Sequence, residues 1–268
     1  MSAYKEPFNK DKRKGFLVDT SRCIGCRSCQ VACKQWNKLQ ADETSNKGAY
    51  DNPRDLTPAL YNRIQFIEKA GSDGSMTWRF LNERCMHCGD AGCIKVCPSG
   101  ALTKSKDGVV VYDKEKCISC KYCVSACPFN IPRYDEEGKV SKCHLCMDRI
   151  GGGLVPACAK ACPTEALKFG NRDALVASAK AAKKTLYGES DLGGLGVVYA
   201  LEGPPDQYGL PNKPSIPFSI FLWKDVIKPL GILGFWGSIG AMLLHYVTIG
   251  PKKIEEEHHE EKEAGHGE

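Results

Sequence analysis

The sequence predicts an α+β fold that consists of two nested cysteine-rich units and one C-terminal transmembrane helix. Sixteen of the 268 residues are cysteine, and they fall into four closely spaced runs. Between the runs lie short segments in which polar and apolar residues alternate, as they do in strands. Near the C-terminus, residues 230–249 contain no Lys, Arg, Asp or Glu. A helix of this length is able to span a bilayer.

The third cysteine run has the most compact spacing and ends in Pro128. Its cysteines are Cys117, Cys120, Cys123 and Cys127. This is the spacing with which bacterial ferredoxins hold [4Fe–4S] clusters, three cysteines binding one cluster and the fourth binding another. A cubane has four iron corners, and one tight loop reaches three of them. The run therefore predicts an iron–sulfur unit and requires a second run to complete it.

Disulfides and zinc are the two other common uses of paired cysteines. A disulfide needs facing Cα atoms at a defined separation, which cysteines two or three residues apart rarely provide. Zinc sites usually combine two pairs of ligands rather than three cysteines from one loop. Iron–sulfur clusters are therefore the favoured cofactor, and zinc is the alternative.

The first run follows a short predicted strand at residues 16–18 and has the same spacing, except that Lys34 replaces the proline. Its cysteines are Cys23, Cys26, Cys29 and Cys33. Residues 34–84 contain no cysteine, and within them residues 62–68 and 76–81 predict a hairpin. We favour a hairpin that covers one face of the cluster-binding unit; contact with another subunit is the alternative.

The second run ends in Pro98 and has two extra residues in its middle. Its cysteines are Cys85, Cys88, Cys93 and Cys97. Nineteen residues then lead to the third run, and they hold a predicted hairpin with Asp107-Gly108 as its turn. This is the spacer of a two-cluster ferredoxin, so we pair the second run with the third. Exchange of the fourth ligands gives site 2, with Cys85, Cys88, Cys93 and Cys127, and site 3, with Cys117, Cys120, Cys123 and Cys97.

The fourth run is interrupted by residues 147–157 and ends in Pro163. Its cysteines are Cys143, Cys146, Cys158 and Cys162. It is left to pair with the first run. The pairing gives site 1, with Cys23, Cys26, Cys29 and Cys162, and site 4, with Cys143, Cys146, Cys158 and Cys33. The sixteen cysteines are thus predicted to bind the iron of four [4Fe–4S] clusters.

This pairing inserts one ferredoxin-like unit within another. The predicted segments are an outer unit of residues 1–84 and 137–190, an inserted unit of residues 85–136, a Gly/Pro-rich linker of residues 191–217, a membrane anchor of residues 218–251 and an acidic disordered tail of residues 252–268. A strand is expected at residues 165–170, and Asn171 is placed to cap a helix over residues 172–187. The linker is expected to contain one strand, at residues 197–201.

The predicted membrane helix has aromatic residues near both ends, Trp223 and Tyr246, as interfacial residues often are. Glycines recur along it at every third position, and small residues let helices pack closely in lipid. The glycines are Gly231, Gly234, Gly237 and Gly240. We therefore expect a membrane partner subunit. His245 lies inside the span, where it would either contact a haem or quinone site of a neighbour or serve as a hydrogen-bonded packing residue.

Charge and motifs exclude several function classes. The net charge of +5 is attributed to compensation for buried anionic clusters, because no basic stripe with interleaved aromatic residues predicts nucleic-acid binding. The N-terminal residues lack the apolar stretch of a secretory signal. No nucleophile–base pair or phosphate-binding loop stands apart from the cysteines, so substrate chemistry is not expected in this chain. His87 and His144, inside C-x2-C loops, are expected at the surface or supporting the ligands.

With these features together, the chain resembles the iron–sulfur beta subunit of membrane-bound, quinone-linked formate dehydrogenases over nearly its whole length. The resemblance rests on Cys23-Ile24-Gly25-Cys26 with Trp36-Asn37, on Tyr50-Asp51-Asn52-Pro53, on residues 127–133, on Leu222-Trp223-Lys224 with Lys228-Pro229-Leu230, and on His245-Tyr246 with Ile249-Gly250-Pro251. The cysteine pattern is shared with beta subunits of nitrate, dimethyl sulfoxide and polysulfide reductases, and the terminal helix narrows the choice. The N-terminus is shorter than the family pattern.

The resemblance implies a non-catalytic electron-transfer subunit. It implies a catalytic alpha subunit with a molybdenum or tungsten bis-pterin, and a gamma subunit, a cytochrome b, packed on the C-terminal helix. It also implies an inner-membrane protein with its bulk in the periplasm and its C-terminus in the cytoplasm. The alternatives are a beta subunit of another molybdoenzyme or of a hydrogenase, and a membrane-tethered zinc protein of structural function.

Overall fold

The chain forms two compact units that meet between Pro217 and Phe218. The computed structural model describes residues 13–45 and 48–249, with the backbone alone for residues 224 and 225. The unit boundary falls where the linker was predicted to give way to the membrane anchor. The predicted acidic tail at residues 252–268 lies outside the described residues.

A four-stranded sheet forms the centre of the first unit. Strand β1 (Lys14–Asp19) pairs antiparallel with Leu167–Asn171 on one side and parallel with Val197–Leu201 on the other. The fourth strand, Thr185–Tyr187, is antiparallel to Val197–Leu201 at the sheet edge. The predicted strands at residues 16–18, 165–170 and 197–201 are all present. The beginning and the end of the first unit are therefore held in one sheet.

Val197–Leu201 corrects the description of residues 191–217 as a linker. All five of its residues are buried, and the strand is an interior strand of the sheet. The Tyr199 hydroxyl donates to the carbonyl of Asn82 at 2.8 Å, and the Tyr208 hydroxyl lies 3.3 Å from that of Thr20. Gly and Pro content alone indicated a loop, but the apolar stretch needs a neighbour on each edge and each face.

The helix expected at residues 172–187 is shorter, running over Arg172–Ala181. Its start agrees with the prediction, because the Asn171 side chain accepts a hydrogen bond from the Ala174 amide at 3.0 Å. Its end does not, because Lys183 adopts a left-handed conformation and the chain turns back. Thr185–Tyr187 then pairs with the sheet. Tertiary pairing overrides a local pattern that favours continued helix.

The described residues of the first unit also form three hairpins and five short α-helices. The hairpin strands are β2 (Asn62–Ala70) with β3 (Met76–Arg84), β4 (Leu102–Lys104) with β5 (Val110–Tyr112), and β6 (Arg133–Tyr134) with β7 (Val140–Ser141). The short helices are α1 (Ser28–Trp36), α2 (Gly92–Lys95), α3 (Tyr122–Ser125), α4 (Met147–Gly151) and α5 (Ala157–Lys160). The first two hairpins were predicted, including the Asp107-Gly108 turn, where Gly108 has φ of 77°.

The helices α1, α2, α3 and α5 each begin within a cysteine run, and proline decides their length. Helices α2, α3 and α5 each end three residues before Pro98, Pro128 or Pro163. Proline lacks an amide hydrogen and disfavours helix in the residue before it. In the first run Lys34 takes the proline position, and α1 continues to Trp36. Helix α1 packs against α5, and α2 packs against α3.

The second unit is a helical segment. It contains Phe218–Phe221, a π-helical stretch over Leu222–Ile227, and a helix over Lys228–Thr248. The last helix has 21 residues, a mean hydropathy of 1.5 and no buried residue in its apolar window. At 1.5 Å per residue it is about 32 Å long, which matches the hydrocarbon core of a bilayer. It coincides with the predicted membrane span at residues 230–249.

Candidate iron–sulfur sites

The sixteen cysteines gather into four groups of four. One cavity is lined by Cys23, Cys26, Cys29 and Cys162, and another by Cys97, Cys117, Cys120 and Cys123. Electrostatic contacts between thiols define the other two groups: Cys88 with Cys85, Cys93 and Cys127, and Cys33 with Cys143, Cys146 and Cys158. Each group combines three cysteines of one run with one from another. These are the residues assigned to sites 1 to 4 from the sequence; which sulfur binds which iron stays a prediction.

The thiols are arranged neither as disulfides nor around a single metal ion. All sixteen cysteines are free. Among the described residues, no three or more His, Cys, Asp or Glu side chains are grouped closely enough to hold one ion. A zinc ion with Zn–S bonds of about 2.3 Å would draw four sulfurs to within about 4 Å of each other. A cubane holds its thiolates farther apart, at separate iron corners.

The four groups follow one another in a fixed spatial order. Cys29 of site 1 is an electrostatic neighbour of Cys158 of site 4. Cys143 of site 4 has Cys85 of site 2 as a neighbour, and Cys93 of site 2 has Cys123 of site 3. These contacts link site 1 to site 4, site 4 to site 2 and site 2 to site 3, a sequence of neighbours that the amino-acid sequence did not reveal. The inserted unit supplies one end of the series and the outer unit the other.

A common backbone turn shapes the four loops. The second residue between the first two cysteines of every run has positive φ: Gly25, His87, Ser119 and Leu145. Three of the four are not glycine, and positive φ is uncommon for residues other than glycine, although asparagine, aspartate and histidine adopt it more often than the rest. The turn directs amides toward sulfur, as in the Leu145 amide 3.4 Å from Cys143 Sγ. Consecutive amides that point inward create a concavity suited to an anionic group.

Side chains outside the cysteine runs also contact the sulfurs. The Tyr134 hydroxyl lies 2.9 Å from Cys123 Sγ, and Asn82 Nδ2 donates to Cys29 Sγ at 3.3 Å. Asn37 Nδ2 donates to Cys33 Sγ at 3.6 Å. Hydrogen bonds to sulfur are one of the means by which a protein sets cluster potentials. Sequence reasoning missed Asn82 and Tyr134, because only the folded chain brings strands β3 and β6 to the cysteines. It also missed Asn37, although this residue lies only four positions after Cys33.

The sequence contains a local signal for such contacts that our sequence-based prediction did not include. In the second and fourth runs a hydroxyl residue follows the last cysteine by two positions. Ser99 lies 3.7 Å from Cys97 Sγ, and Thr164 lies 3.8 Å from Cys162 Sγ. Burial opposes ionisation of Cys97, but amide and hydroxyl hydrogen bonds, from Leu102 and Ser99 among others, lower its pKa below the usual value. The Cys97-Pro98-Ser99 pattern thus marks a sulfur whose thiolate form is stabilised.

Buried cations lie beside the thiols. Lys142 is buried, and its ammonium donates to the carbonyls of Val110 at 2.5 Å and Cys143 at 3.0 Å. It acts electrostatically on both Cys93 and Cys127 of site 2. A buried ammonium is costly unless anions compensate it. This placement agrees with the prediction that part of the positive charge offsets buried anionic clusters.

The two histidines within the cysteine loops are not surface residues. His87 is fully buried, and its Nδ1 accepts from the Val110 amide at 3.1 Å. Burial, and then the nearby Lys142 and Arg84, lower the pKa of His87 well below its ordinary value. His144 Nε2 pairs with Asn37 Oδ1 at 2.7 Å. Both rings therefore brace the cysteine loops, and the surface expectation for His87 was wrong.

The donor set fits an iron–sulfur cluster at each group. Burial is the main cause that raises the pKa of Cys29 and of Cys143 to about 12, and neighbouring thiols add to it. Such thiols are protonated at neutral pH unless a cation replaces the proton. Ligation by iron supplies that cation and releases the protons. Four converging thiols, inward amides and adjacent buried cations together match the needs of an anionic cluster.

Comparison with known proteins identifies the type of domain in which these cysteine groups lie. The family described as a 4Fe-4S dicluster domain matches residues 76–172, and a second family of the same description matches residues 22–101. The family described as formate dehydrogenase N, transmembrane, matches residues 216–259. The two dicluster matches follow chain order rather than the spatial pairing of runs, so they leave the membership of each site untested.

Whole-chain relatives agree with these matches. The nitrate-inducible formate dehydrogenase iron–sulfur subunit of Escherichia coli (strain K12) is 41% identical over 263 residues, which cover 91% of this chain and 89% of that protein. The formate dehydrogenase iron–sulfur subunit of Haemophilus influenzae is 40% identical and covers 92% and 85%. A component of the anaerobic dimethyl sulfoxide reductase of Escherichia coli is 40% identical over 171 residues, which cover 60% of this chain and 75% of that protein.

The fold and the cysteine groups define a membrane-anchored electron-transfer protein with ferredoxin-like [4Fe–4S] domains. It crosses the membrane once, through the helix Lys228–Thr248. The chain belongs to the iron–sulfur subunits of formate dehydrogenases.

The hydroxyl of Tyr134 gives a direct test of how this chain sets a potential. Replacing Tyr134 with phenylalanine removes its hydrogen bond to Cys123 Sγ and is expected to make the potential of site 3 more negative. A hydrogen bond of about 1 kcal/mol corresponds to about 40 mV for a one-electron couple. Potentiometric titration followed by EPR measures the shift.

Tyr208→Phe is the matched control, because its hydroxyl bonds Thr20 rather than a cysteine. The control is expected to leave the potential of site 3 unchanged. Equal potentials for site 3 in the wild type and Tyr134→Phe would contradict a tuning effect of this hydroxyl.

Proposed function

We propose that this chain carries four [4Fe–4S] clusters, at sites 1 to 4 with the cysteines assigned above, and relays electrons from a catalytic subunit to a membrane subunit. The observation that carries the proposal is the gathering of sixteen cysteines into four groups of four in one continuous series. Each cluster, when bound, accepts and gives up one electron at a time. No proton or group transfer is required of the chain.

The protein holds the clusters at fixed separations, shields them from water and tunes their reduction potentials. Thiols on one helical turn, such as Cys29 and Cys33 of α1, point to two different sites and fix their separation. Buried apolar residues exclude water from between the groups, with Val109, Leu145 and Leu195 fully buried in the same core. Hydrogen bonds from Asn82, Asn37 and Tyr134 favour the more negative state of the sulfurs they contact.

The proposed direction runs from site 1 to site 3. The chain leaves the first unit at Pro217, and Ile216 packs against Gly92 next to Cys93. The C-terminal end of the first unit thus lies beside the inserted unit, which holds sites 2 and 3. This supports delivery of electrons at the site 3 end and their entry at site 1.

We assign the partners by family membership. The donor is a formate-oxidising subunit with a molybdenum or tungsten bis-pterin, and the acceptor is a cytochrome b subunit that passes electrons to quinone. The chain itself is non-catalytic. Its bulk lies on the periplasmic face of the inner membrane, and its C-terminus lies in the cytoplasm. Support comes from similarity to formate dehydrogenase iron–sulfur subunits and from the membrane helix.

Purification of the protein from membranes in mild detergent, with its companions, tests this function. We expect two companion subunits, at least sixteen non-haem irons and sixteen acid-labile sulfides per chain at four of each per cluster, and formate-dependent reduction of the EPR signals of all four sites. A companion without formate activity would replace formate dehydrogenase with another oxidoreductase, for which the similarity to a dimethyl sulfoxide reductase component provides a candidate. Stoichiometric zinc with little iron would overturn the electron relay altogether.

A further inference from the structure

Arg84 is a fully buried cation with no carboxylate to neutralise it in the described part of the protein. It is the last residue of β3, has 0% exposure, and immediately precedes the second cysteine run. None of its three guanidinium nitrogens has a nitrogen or oxygen hydrogen-bond partner of normal geometry among the described residues. Removing a charge from water without a partner is strongly unfavourable, so an anion is expected to compensate it.

The groups that surround Arg84 identify that anion. The thiols that act on it most strongly are Cys158 and Cys143 of site 4, and Cys29 of site 1 follows. The Cys158 sulfur is near enough to accept a hydrogen bond from it. On another side the guanidinium lies over the Phe16 ring, 4.6 Å from its centroid. The ring of Phe16 fixes the position of Arg84, and the counter-charges at hand are the sulfurs of two neighbouring sites.

We propose that Arg84 is a shared counter-cation of sites 1 and 4, whose fixed charge raises the reduction potentials of both clusters together. The inference rests on the proposed occupancy of those two sites. Reduction adds one electron, and hence one negative charge, to a cluster whose donor loses that electron; no bond forms and no proton moves. A guanidinium stays protonated throughout. Its attraction to the reduced cluster therefore exceeds its attraction to the oxidised one.

A shared cation differs in effect from two separate ones. Because one charge faces both sites, it raises the two potentials in the same direction and hardly changes the difference between them. It also reduces the repulsion between two anionic clusters that lie side by side. Lys142 is placed differently, since it faces Cys93 and Cys127 of site 2 as well as the Cys143 carbonyl. The thiols that act most strongly on Arg84 thus all belong to the outer unit.

Redox titration of Arg84 variants within the complete complex tests the proposal. Arg84→Met and Arg84→Gln remove the charge, and Arg84→Lys retains it. In the neutral variants we expect the reduction equilibrium of sites 1 and 4 to shift at least tenfold toward the oxidised state, which is about 59 mV for a one-electron couple. Sites 2 and 3 are expected to shift much less, and Arg84→Lys to retain most of the wild-type values.

Iron and sulfide analysis and two controls make the outcomes distinguishable. EPR signals of sites 1 and 4 are assigned by their loss in Cys162→Ala and Cys33→Ala. Lys180→Met removes an exposed, ion-paired charge and is expected to change no potential. Four clusters in the wild type verify the proposed occupancy of the sites independently of any result for Arg84.

Loss of sites 1 and 4 from both neutral variants, with retention in Arg84→Lys, would also support a counter-cation. Unchanged potentials in fully loaded neutral variants would overturn the proposal. So would equal shifts in Arg84→Lys and Arg84→Met, or cluster loss in all three variants, because these results would assign Arg84 to packing.

Discussion

Replacing Cys127 with alanine is expected to destroy the cluster of the second cysteine run and to spare that of its own run. Cys127 is an electrostatic neighbour of Cys85, whereas Cys123, four residues earlier, is grouped with Cys97, Cys117 and Cys120. The variant should lose up to four irons per chain and the EPR signal of site 2. Electron flow from formate to quinone should fall to background, because site 2 lies between site 4 and site 3 in the series.

Cys97→Ala is the reciprocal control for this experiment. It is predicted to damage site 3 and to leave site 2 filled, so the two variants should give complementary spectra. Loss of the site 3 signal alone in Cys127→Ala would refute the exchange of ligands between the runs. The same result would reassign Cys127 to the cluster of its own loop.

A stop after Pro217 is expected to release the chain from the membrane with its cysteine groups intact. The first unit is compact without the helical segment, and all sixteen cysteines precede residue 218. The helix Lys228–Thr248 is the one described helix with the length and apolarity to span a bilayer. We expect the truncated chain in the soluble fraction, with full iron content and reduction by formate through its catalytic partner, but without quinone reduction.

A stop after Pro251 provides the control, since it removes the acidic tail and keeps the membrane helix. This shorter truncation is expected to stay in the membrane fraction and to reduce quinone. Membrane fractionation with immunodetection locates both truncated chains. Paired assays with a soluble dye and with a quinone as electron acceptor measure their electron transfer. Membrane retention of the Pro217 truncation in cells that lack the partner subunits would show that another segment also anchors the chain.

Local spacing accounts for what the sequence predicted well. The cysteine spacing in residues 117–127 predicts a [4Fe–4S] cluster directly, because the geometry of the cluster dictates the intervals between its ligands. Residues 230–249 predict a membrane-spanning helix in the same way, because the thickness of the bilayer dictates the length of the apolar segment. The turn at Asp107-Gly108 and the cap at Asn171 depend on neighbours one to four residues away. All of these features are recognisable without any knowledge of tertiary contacts.

Tertiary contacts account for what the sequence did not predict. Residues 197–201 read as a strand within a linker, yet they form the interior of a sheet whose partner strand begins at Lys14. His87 looked like a loop residue and is buried because β5 closes over it. Arg84 carries no motif at all. The role proposed for it follows from surroundings that the first and fourth cysteine runs create together, which no local pattern encodes.

The pairing of β1 with Val197–Leu201 has a consequence for how the protein is made. Phe16 faces Val197 in the register of this parallel pair, so the central sheet is incomplete until nearly the whole globular unit has left the ribosome. Sites 1 and 4 likewise need cysteines from both ends of the cluster region, whereas sites 2 and 3 draw on residues 85–127 only. Synthesis should therefore make the inserted unit ready for cofactor delivery first. The outer pair closes last, when the emerging anchor helix is about to follow.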